Sequence, residues 1–165
     1  MKSLRKITPC LWFDGQGLEA AQFYAGIFPG SKVGAVSRYG EQDAARHGQR
    51  PGSVLAVAFE LDGQSFTALN GGPQFPFTPA ISFQVNCETQ DEIDHYWERL
   101  SDGGDPEAQR CGWLKDRYGA SWQVVPTILS DMLCGSDQVA AQRVMHALME
   151  MGKLDIQQLK RAYAG

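Results

Sequence analysis

The sequence predicts an α+β fold made of two successive βαβββ modules and a helical tail. Three observations predict it. A strand, a helix and three further strands occur twice along the chain; the apolar and turn residues of the two copies fall in register; and the composition changes after Pro126. The boundaries place the first module at residues 1–77, the second at 78–126 and a C-terminal helical extension at 127–165, within one structural domain.

Ile7 to Phe13 reads as the first strand, broken by Gly15 and Gly17. Leu18 to Phe28 carries apolar residues at Leu18, Ala21, Phe23, Tyr24, Ile27 and Phe28, a helical spacing that Pro29-Gly30 ends. Val33 to Tyr39 is the second strand, and the polar run from Gly40 to Ser53 is a long loop. Val54 to Leu61 and Gln64 to Asn70 are joined by Asp62-Gly63, a hairpin signal because both residues tolerate positive φ. The pattern then restarts. Ala80 to Asn86 is a strand, and Thr89 to Leu100 is a helix with a capping box of Thr89 and Glu92. Gly103-Gly104 breaks it, and Glu107 to Arg110, Gly112 to Lys115 and Ser121 to Val125 are short strands. Lys115, Asp116 and Arg117 read as a solvated hairpin tip.

The repeat is visible residue by residue. At one constant offset Leu11, Phe13, Asp14, Tyr24 and Phe28 fall on Phe83, Val85, Asn86, Tyr96 and Leu100. At a shorter offset, required by the long loop, Gly63, Ser65, Phe66 and Thr67 fall on Gly119, Ser121, Trp122 and Gln123. In the tail, Val139 to Met151 is a helix with an apolar stripe at Val139, Val144, Leu148 and Met151 and with Gly152 as its C-cap. Asp155 caps a last helix to Tyr163. The tail is expected to pack on the body or on a second subunit, with Met145, Met149 and Met151 as core filler.

The bulk numbers narrow the function. At 165 residues the chain buries a core without staples, and a net charge of −4 supplies no basic field for nucleic acid or an anionic membrane. No apolar run is long enough to span a bilayer. The start, MKSLRKITPCLWF, has basic residues before an apolar stretch but lacks the length and cleavage site of a leader, and reads as a polar start before a strand. Cys10, Cys87, Cys111 and Cys134 have no C-x-x-C spacing, and read as mostly buried thiols of a cytoplasmic protein.

The stretches LWFDGQGLEAAQFYAGIFPGSKV, CGWLKDRYGASWQVVP and RVMHALMEMGKLDIQQLKRAYAG resemble the PhnB-like branch of the glyoxalase/bleomycin resistance/dioxygenase (vicinal oxygen chelate) superfamily. Proteins of this branch often carry the label 3-demethylubiquinone-9 3-methyltransferase. The resemblance implies two sheets curled into an open cup with helices outside. It places Pro9, Leu11, Phe13, Ile81, Phe83 and Val85 toward the helices. Thr8, Cys10, Trp12, Ala80, Ser82, Gln84 and Asn86 then face the cup.

Metal-using relatives place His, Glu or Gln on the first and last strands of each module. The corresponding positions here are Thr8, Thr67, Ala80 and Gln123, of which only Gln123 is a reasonable donor. His47 falls in the long loop, His95 on the second helix and His146 on the tail helix, none on a cup strand. A site built from Cys10 or Cys87 has no spacing behind it. No metal and no cofactor are therefore predicted. The sequence Gly15 to Ala20 matches G-x-G-x-x-A at a helix start, which suits a nucleotide-type cofactor. The following three strands do not suit a parallel nucleotide-binding sheet, so the glycines are assigned to the turn. The expected function is binding of a small organic ligand by Trp12, Thr67, Ser82, Gln84 and Gln123, through sequestration or metal-independent chemistry. Whether the chain is an enzyme stays open. A homodimer is expected from related cups, and a metal-dependent lyase or dioxygenase and a methyltransferase stand as alternatives.

Overall fold

The computed structural model describes residues 6–42 and 44–165. The basic start on which the leader comparison bears, residues 1–5, lies outside the described residues, as does Asp43 in the long loop. The chain divides into two compact units at Pro76/Phe77.

The first unit runs β1 (Cys10–Phe13), α1 (Gly17–Ala25), β2 (Lys32–Arg38), α2 (Ala44–His47), β3 (Val54–Leu61) and β4 (Gln64–Asn70). Its sheet has the order β1-β4-β3-β2, with β1 parallel to β4 and the other pairs antiparallel. The second unit repeats this with β5 (Ser82–Cys87), α3 (Gln90–Ser101), β6 (Asp105–Arg110), β7 (Trp113–Lys115) and β8 (Ser121–Pro126), in the order β5-β8-β7-β6. The two βαβββ modules and the α+β class are as the repeat predicts.

Alternation along each strand divides the sheets into a helix side and an open side. Leu11 and Phe13 of β1, and Val57 and Phe59 of β3, are buried, as is Tyr24 of α1. In the second unit Val85, Leu114, Trp122 and Val124 are buried with Ile93, Trp97 and Leu100 of α3. Phe83 is half-buried and its ring lies 5.1 Å from that of Trp122. Ile81, expected on the helix side, is instead 75% exposed, because β5 begins one residue later and Ile81 remains in the preceding turn.

The strand β1 is also shorter than expected. The Pro9 carbonyl accepts from Thr67 N–H at 2.9 Å, but Pro9 has no N–H to continue the ladder. Thr89 and Glu92 form the predicted capping box on α3. The hairpin tip is not merely solvated: Asp116 is 2% exposed. Its carboxylate accepts from Tyr118 N–H at 2.9 Å, Ala120 N–H at 3.0 Å and the Trp122 indole N–H at 2.8 Å. A buried carboxylate is tolerated there because three donors replace its water. Arg117 does face solvent and pairs with Asp102.

The tail adds α4 (Ile128–Cys134), α5 (Gln138–Met149) and α6 (Ile156–Ala164) to the second unit. Sequence periodicity missed α4, which is too short to show a repeat of the apolar stripe. Leu129, Val144, Leu148, Leu154 and Leu159 form a cluster, and Cys111 and Val125 pack against it. Val139 does not belong to the buried stripe: it is 64% exposed, and Ala140 and Ala141 take its place. Met145 and Met149 are surface residues rather than core filler, and α5 is capped at Glu150 rather than Gly152. Of the cysteines only Cys87 is buried.

Beyond the Thr127 N–H to Cys87 O bond at 2.9 Å that continues from β8, the tail is bonded to the body at three places. Cys111 N–H donates to Met151 O at 2.7 Å and Gly112 N–H to Gly152 O at 2.8 Å. The Gln90 amide of α3 donates to Leu154 O at 3.0 Å and accepts from Ile156 N–H at 2.9 Å. Lys153 Nζ lies 2.6 Å from Asp94 Oδ1. That ammonium hydrogen bond holds Asp94 below the usual carboxylate range, and the Gln158 backbone N–H does the same for Asp155, the N-cap of α6.

Two outcomes follow. Asp116→Ala strands three donors and is expected to cost about 3 kcal/mol in urea unfolding, since each buried donor left unpaired costs roughly 1–3 kcal/mol. The depressed Asp94 and Asp155 values mean that their stabilisation is complete above the ordinary carboxylate range and is lost as pH falls through the folded values. Hydrogen exchange of α6 amides, normalised for intrinsic pH dependence, should therefore show protection falling at acid pH before that of β8.

Candidate functional site

On the open side of the first sheet, direct Cα partners place Cys10 beside Thr67, Trp12 beside Leu69, and Ala58 beside Thr67. Thr67 lines a shallow hollow of about 330 Å³ with Thr8, Lys32, Gly34, Ala58 and Ser65. Thr8 and Thr67, two of the four positions that the resemblance is expected to equate with metal ligands, thus line one depression. A Lys32–Glu60 pair, 3.8 Å apart, also lies along it. Small residues at Gly34 and Ala58 keep this part of the sheet low.

Trp12 stands on the same side and is held in place. Its indole N–H donates to Gly72 O at 2.8 Å, and Phe75 meets the ring edge-on at 4.9 Å. Gly71 is required by this arrangement, because a Cβ there would come within 2.1 Å of the indole. The Gly71-Gly72 step after β4 therefore sets the indole orientation, a device the sequence reading did not identify.

In the second unit the open side carries Ser82, Gln84 and Asn86 of β5, Gln123 and Val125 of β8, and Trp113 and Lys115 of β7. Gln123 Nε2 donates to Ser82 Oγ at 2.9 Å, and Gln84 Nε2 donates to Asn86 Oδ1 at 2.7 Å. Gln84 and Gln123 are direct Cα partners, Gln123 is the partner of Trp113, and Trp113 the partner of Arg110. One transverse row of the sheet thus reads Gln84, Gln123, Trp113, Arg110. Of the predicted ligand-binding residues, Trp12 and Thr67 share the open face of the first sheet. Ser82, Gln84 and Gln123 share that of the second. Sequence reasoning did not bring Trp113 and Arg110 into this row. The Cys111-Gly112 pair, with φ of 54° and 83°, was the available signal, since a tight turn there makes its flanking residues cross-strand partners.

The positions equivalent to metal ligands do not fit a metal. Thr8 and Thr67 offer neutral hydroxyls, Ala80 offers no donor and lies in the turn before β5, and Gln123 offers one amide oxygen. A divalent ion needs carboxylate, imidazole or thiolate to offset its desolvation. Among the described residues no three His, Cys, Asp or Glu side chains are grouped for such a role. Burial, with Glu92 nearby, pushes the Cys87 thiol up to about 12, and partial burial raises that of Cys10, so neither readily supplies a thiolate.

The G-x-G-x-x-A turn is filled by the protein itself. Gly17 N–H donates to the buried Asn70 side chain at 2.8 Å, and a Cβ on Gly17 would meet that same oxygen at 2.8 Å. Asn70 also donates to Val54 O at 3.1 Å, and its own carbonyl accepts from Tyr39 Oη at 2.6 Å. The glycine spacing brings α1 against the end of β4.

A family model described as 3-demethylubiquinone-9 3-methyltransferase matches residues 5–125. The chain belongs to this PhnB-like family. A solved PhnB protein from Bacillus cereus, provisionally assigned the same methyltransferase name, is 36% identical with a TM-score of 0.63. The match covers 74% of this chain and 100% of that one. A structure from Pseudomonas aeruginosa is 21% identical with a TM-score of 0.57, covering 75% of this chain and 98% of that one. The fosfomycin resistance protein FosX from Mesorhizobium loti is 13% identical with a TM-score of 0.50, covering 75% and 90%. These last two show the fold alone, that of the vicinal oxygen chelate superfamily. No curated protein matches the chain. The family match ends at Val125, the penultimate residue of β8, so α4 to α6 lie beyond it.

Gly71→Ala should displace the Trp12 indole and cost about 1–3 kcal/mol, the usual penalty of overpacking, in chemical denaturation. An unchanged stability would mean that Trp12 is not held as described.

Proposed function

We propose that this PhnB-like protein binds a small organic ligand on the open faces of its sheets and acts by sequestration or metal-independent chemistry. The observation that carries this reading is the Ser82–Gln123 hydrogen bond, in the position where metal-using relatives place a ligand. The bond takes up the Gln123 NH2 and leaves its oxygen oriented toward a ligand's polar group; one amide oxygen without carboxylate, imidazole or thiolate partners does not assemble a metal centre. Trp12 supplies an apolar ring, Thr67 a hydroxyl within the first hollow, and Gln84 a second amide beside Gln123. Such a mixture of apolar surface and few oriented polar groups is what small-molecule sites require.

The methyltransferase reading rests on the family description. It receives no support from the glycine turn, whose first helical N–H is taken by Asn70. Glyoxalase-type or dioxygenase chemistry lacks the donor set. The proposal includes a cytoplasmic homodimer, for which exposed Val139, Met145 and Met149 on α5 supply an apolar face. Among the described residues no helix is long and apolar enough to cross a membrane.

The test is a thermal-shift screen of neutral and charged aromatic compounds followed by calorimetry on the hits. Gln123→Ala should weaken a hit bound on the second sheet, and Trp12→Ala a hit bound on the first, each by about tenfold, or 1.4 kcal/mol. A hit whose affinity neither substitution changes would refute the site, and tight binding of S-adenosylmethionine would restore the methyltransferase reading.

A further inference from the structure

We infer that the second unit selects a planar aromatic carboxylate, with the ring on Trp113, the carboxylate at Arg110 and a polar substituent on the far side of the ring at Gln123. This rests on the small-molecule reading above and names the class of ligand. The argument starts from register. Gln84, Gln123, Trp113 and Arg110 are successive Cα partners across β5, β8, β7 and β6. Direct cross-strand partners project from the same face, with strands about 4.8 Å apart. The opposite face is identified independently by Leu114 and Trp122, partners that are both buried.

The row therefore presents amide, amide, indole and guanidinium in that order. Trp113 is half-buried, so part of its ring surface is available, while Arg110 is exposed. An indole is a stacking surface for another flat ring. A guanidinium is the side chain best matched to a carboxylate, through two parallel N–H donors. It stands one strand from Trp113 on one side, and Gln123 one strand away on the other. A ring centred over Trp113 with polar groups at opposite positions spans the two. Gln123 is already oriented by its bond to Ser82. The neighbouring row reads Ser82, Ser121, Lys115 and Asp105, so a second positive charge, Lys115, stands one strand nearer to Gln123 than the Asp105 carboxylate does. Asp105, the partner of Lys115, sits beyond it at the strand edge.

The tail bounds this row. Val125 lies one step beyond Gln123 on the same side of β8, and Cys111 lies in the turn beside Arg110 and Trp113. Both pack against the Leu129–Val144–Leu148–Leu154–Leu159 cluster. The segment that extends beyond the family match thus lines one flank of the row with apolar groups, which favours a ring over a flexible polar chain.

The experiment uses the full chain, with 4-hydroxybenzoate as probe, 4-hydroxybenzamide as the uncharged control and cyclohexanecarboxylate as the non-aromatic control. Binding is followed by calorimetry and by the Trp113 indole N–H resonance, assigned with Trp113→Phe. The expected result is a Kd of about 1 mM or tighter for 4-hydroxybenzoate, weakened at least about tenfold by Arg110→Gln, and at least about tenfold weaker binding of each control. Arg110 is exposed, so Arg110→Gln leaves the core untouched. If 4-hydroxybenzoate binds but neither Arg110→Gln nor the amide control changes its affinity, the carboxylate assignment is overturned. If Gln123→Ala still weakens binding in that case, the small-molecule site stands without it. Failure of 4-hydroxybenzoate to bind overturns the aromatic-carboxylate class. A neutral screening hit lost on Gln123→Ala would then keep the broader reading, and the absence of any such hit would remove both.

Discussion

The parallel pairing of the first and last strands within each module is the constraint on which the site depends. Strands β1 and β4 are separated by a helix and two further strands in sequence, yet they lie side by side and put Thr67 against Cys10. The same closure in the second module puts Gln123 against Gln84 and within hydrogen-bonding distance of Ser82. A slip of one residue in either register would turn these groups to the helix side and expose Trp122 or Phe66 in their place. Packing of the aromatic helix-side residues therefore fixes which polar residues reach the open faces.

Buried polar groups secure that closure. Asn70 ties the start of α1, the end of β4, Val54 of β3 and Tyr39 together, and Asp116 ties the tight turn before β8 to the Trp122 ring. Each group is matched by donors or acceptors that burial would otherwise leave without water. In the second unit Gln90 plays a related part. Its amide reads the backbone at Leu154 and Ile156 from both sides, so the tail is attached by hydrogen bonds as well as by its leucine cluster.

Most of the fold was legible because periodicity and turn chemistry agreed. The Asp62-Gly63 and Thr89–Glu92 signals each marked an element end found in the structure. The misses have local causes. The periodic stripe placed Val139 inward, but the two alanines after it permit closer helix packing and turn Val139 outward. Asp116 read as solvated because its neighbours are charged, whereas the turn supplies donors that hold it inside. The open-face positions of Thr67 and Gln123 were legible because the repeat aligned them. Arg110 and Trp113 were not, since their meeting depends on the cross-strand register set by the Cys111-Gly112 turn.

Donor chemistry at Thr8, Thr67, Ala80 and Gln123 carries the proposal that no divalent ion is held: it offers two hydroxyls and one amide oxygen and no carboxylate, imidazole or thiolate. The most direct test is calorimetric titration of the chelator-treated full chain with manganese, nickel and zinc, with elemental analysis of untagged protein purified without chelators. The account predicts no stoichiometric divalent ion in the purified protein and no saturable binding that Gln123→Ala abolishes. One equivalent of metal per chain, lost on Gln123→Ala, would contradict it.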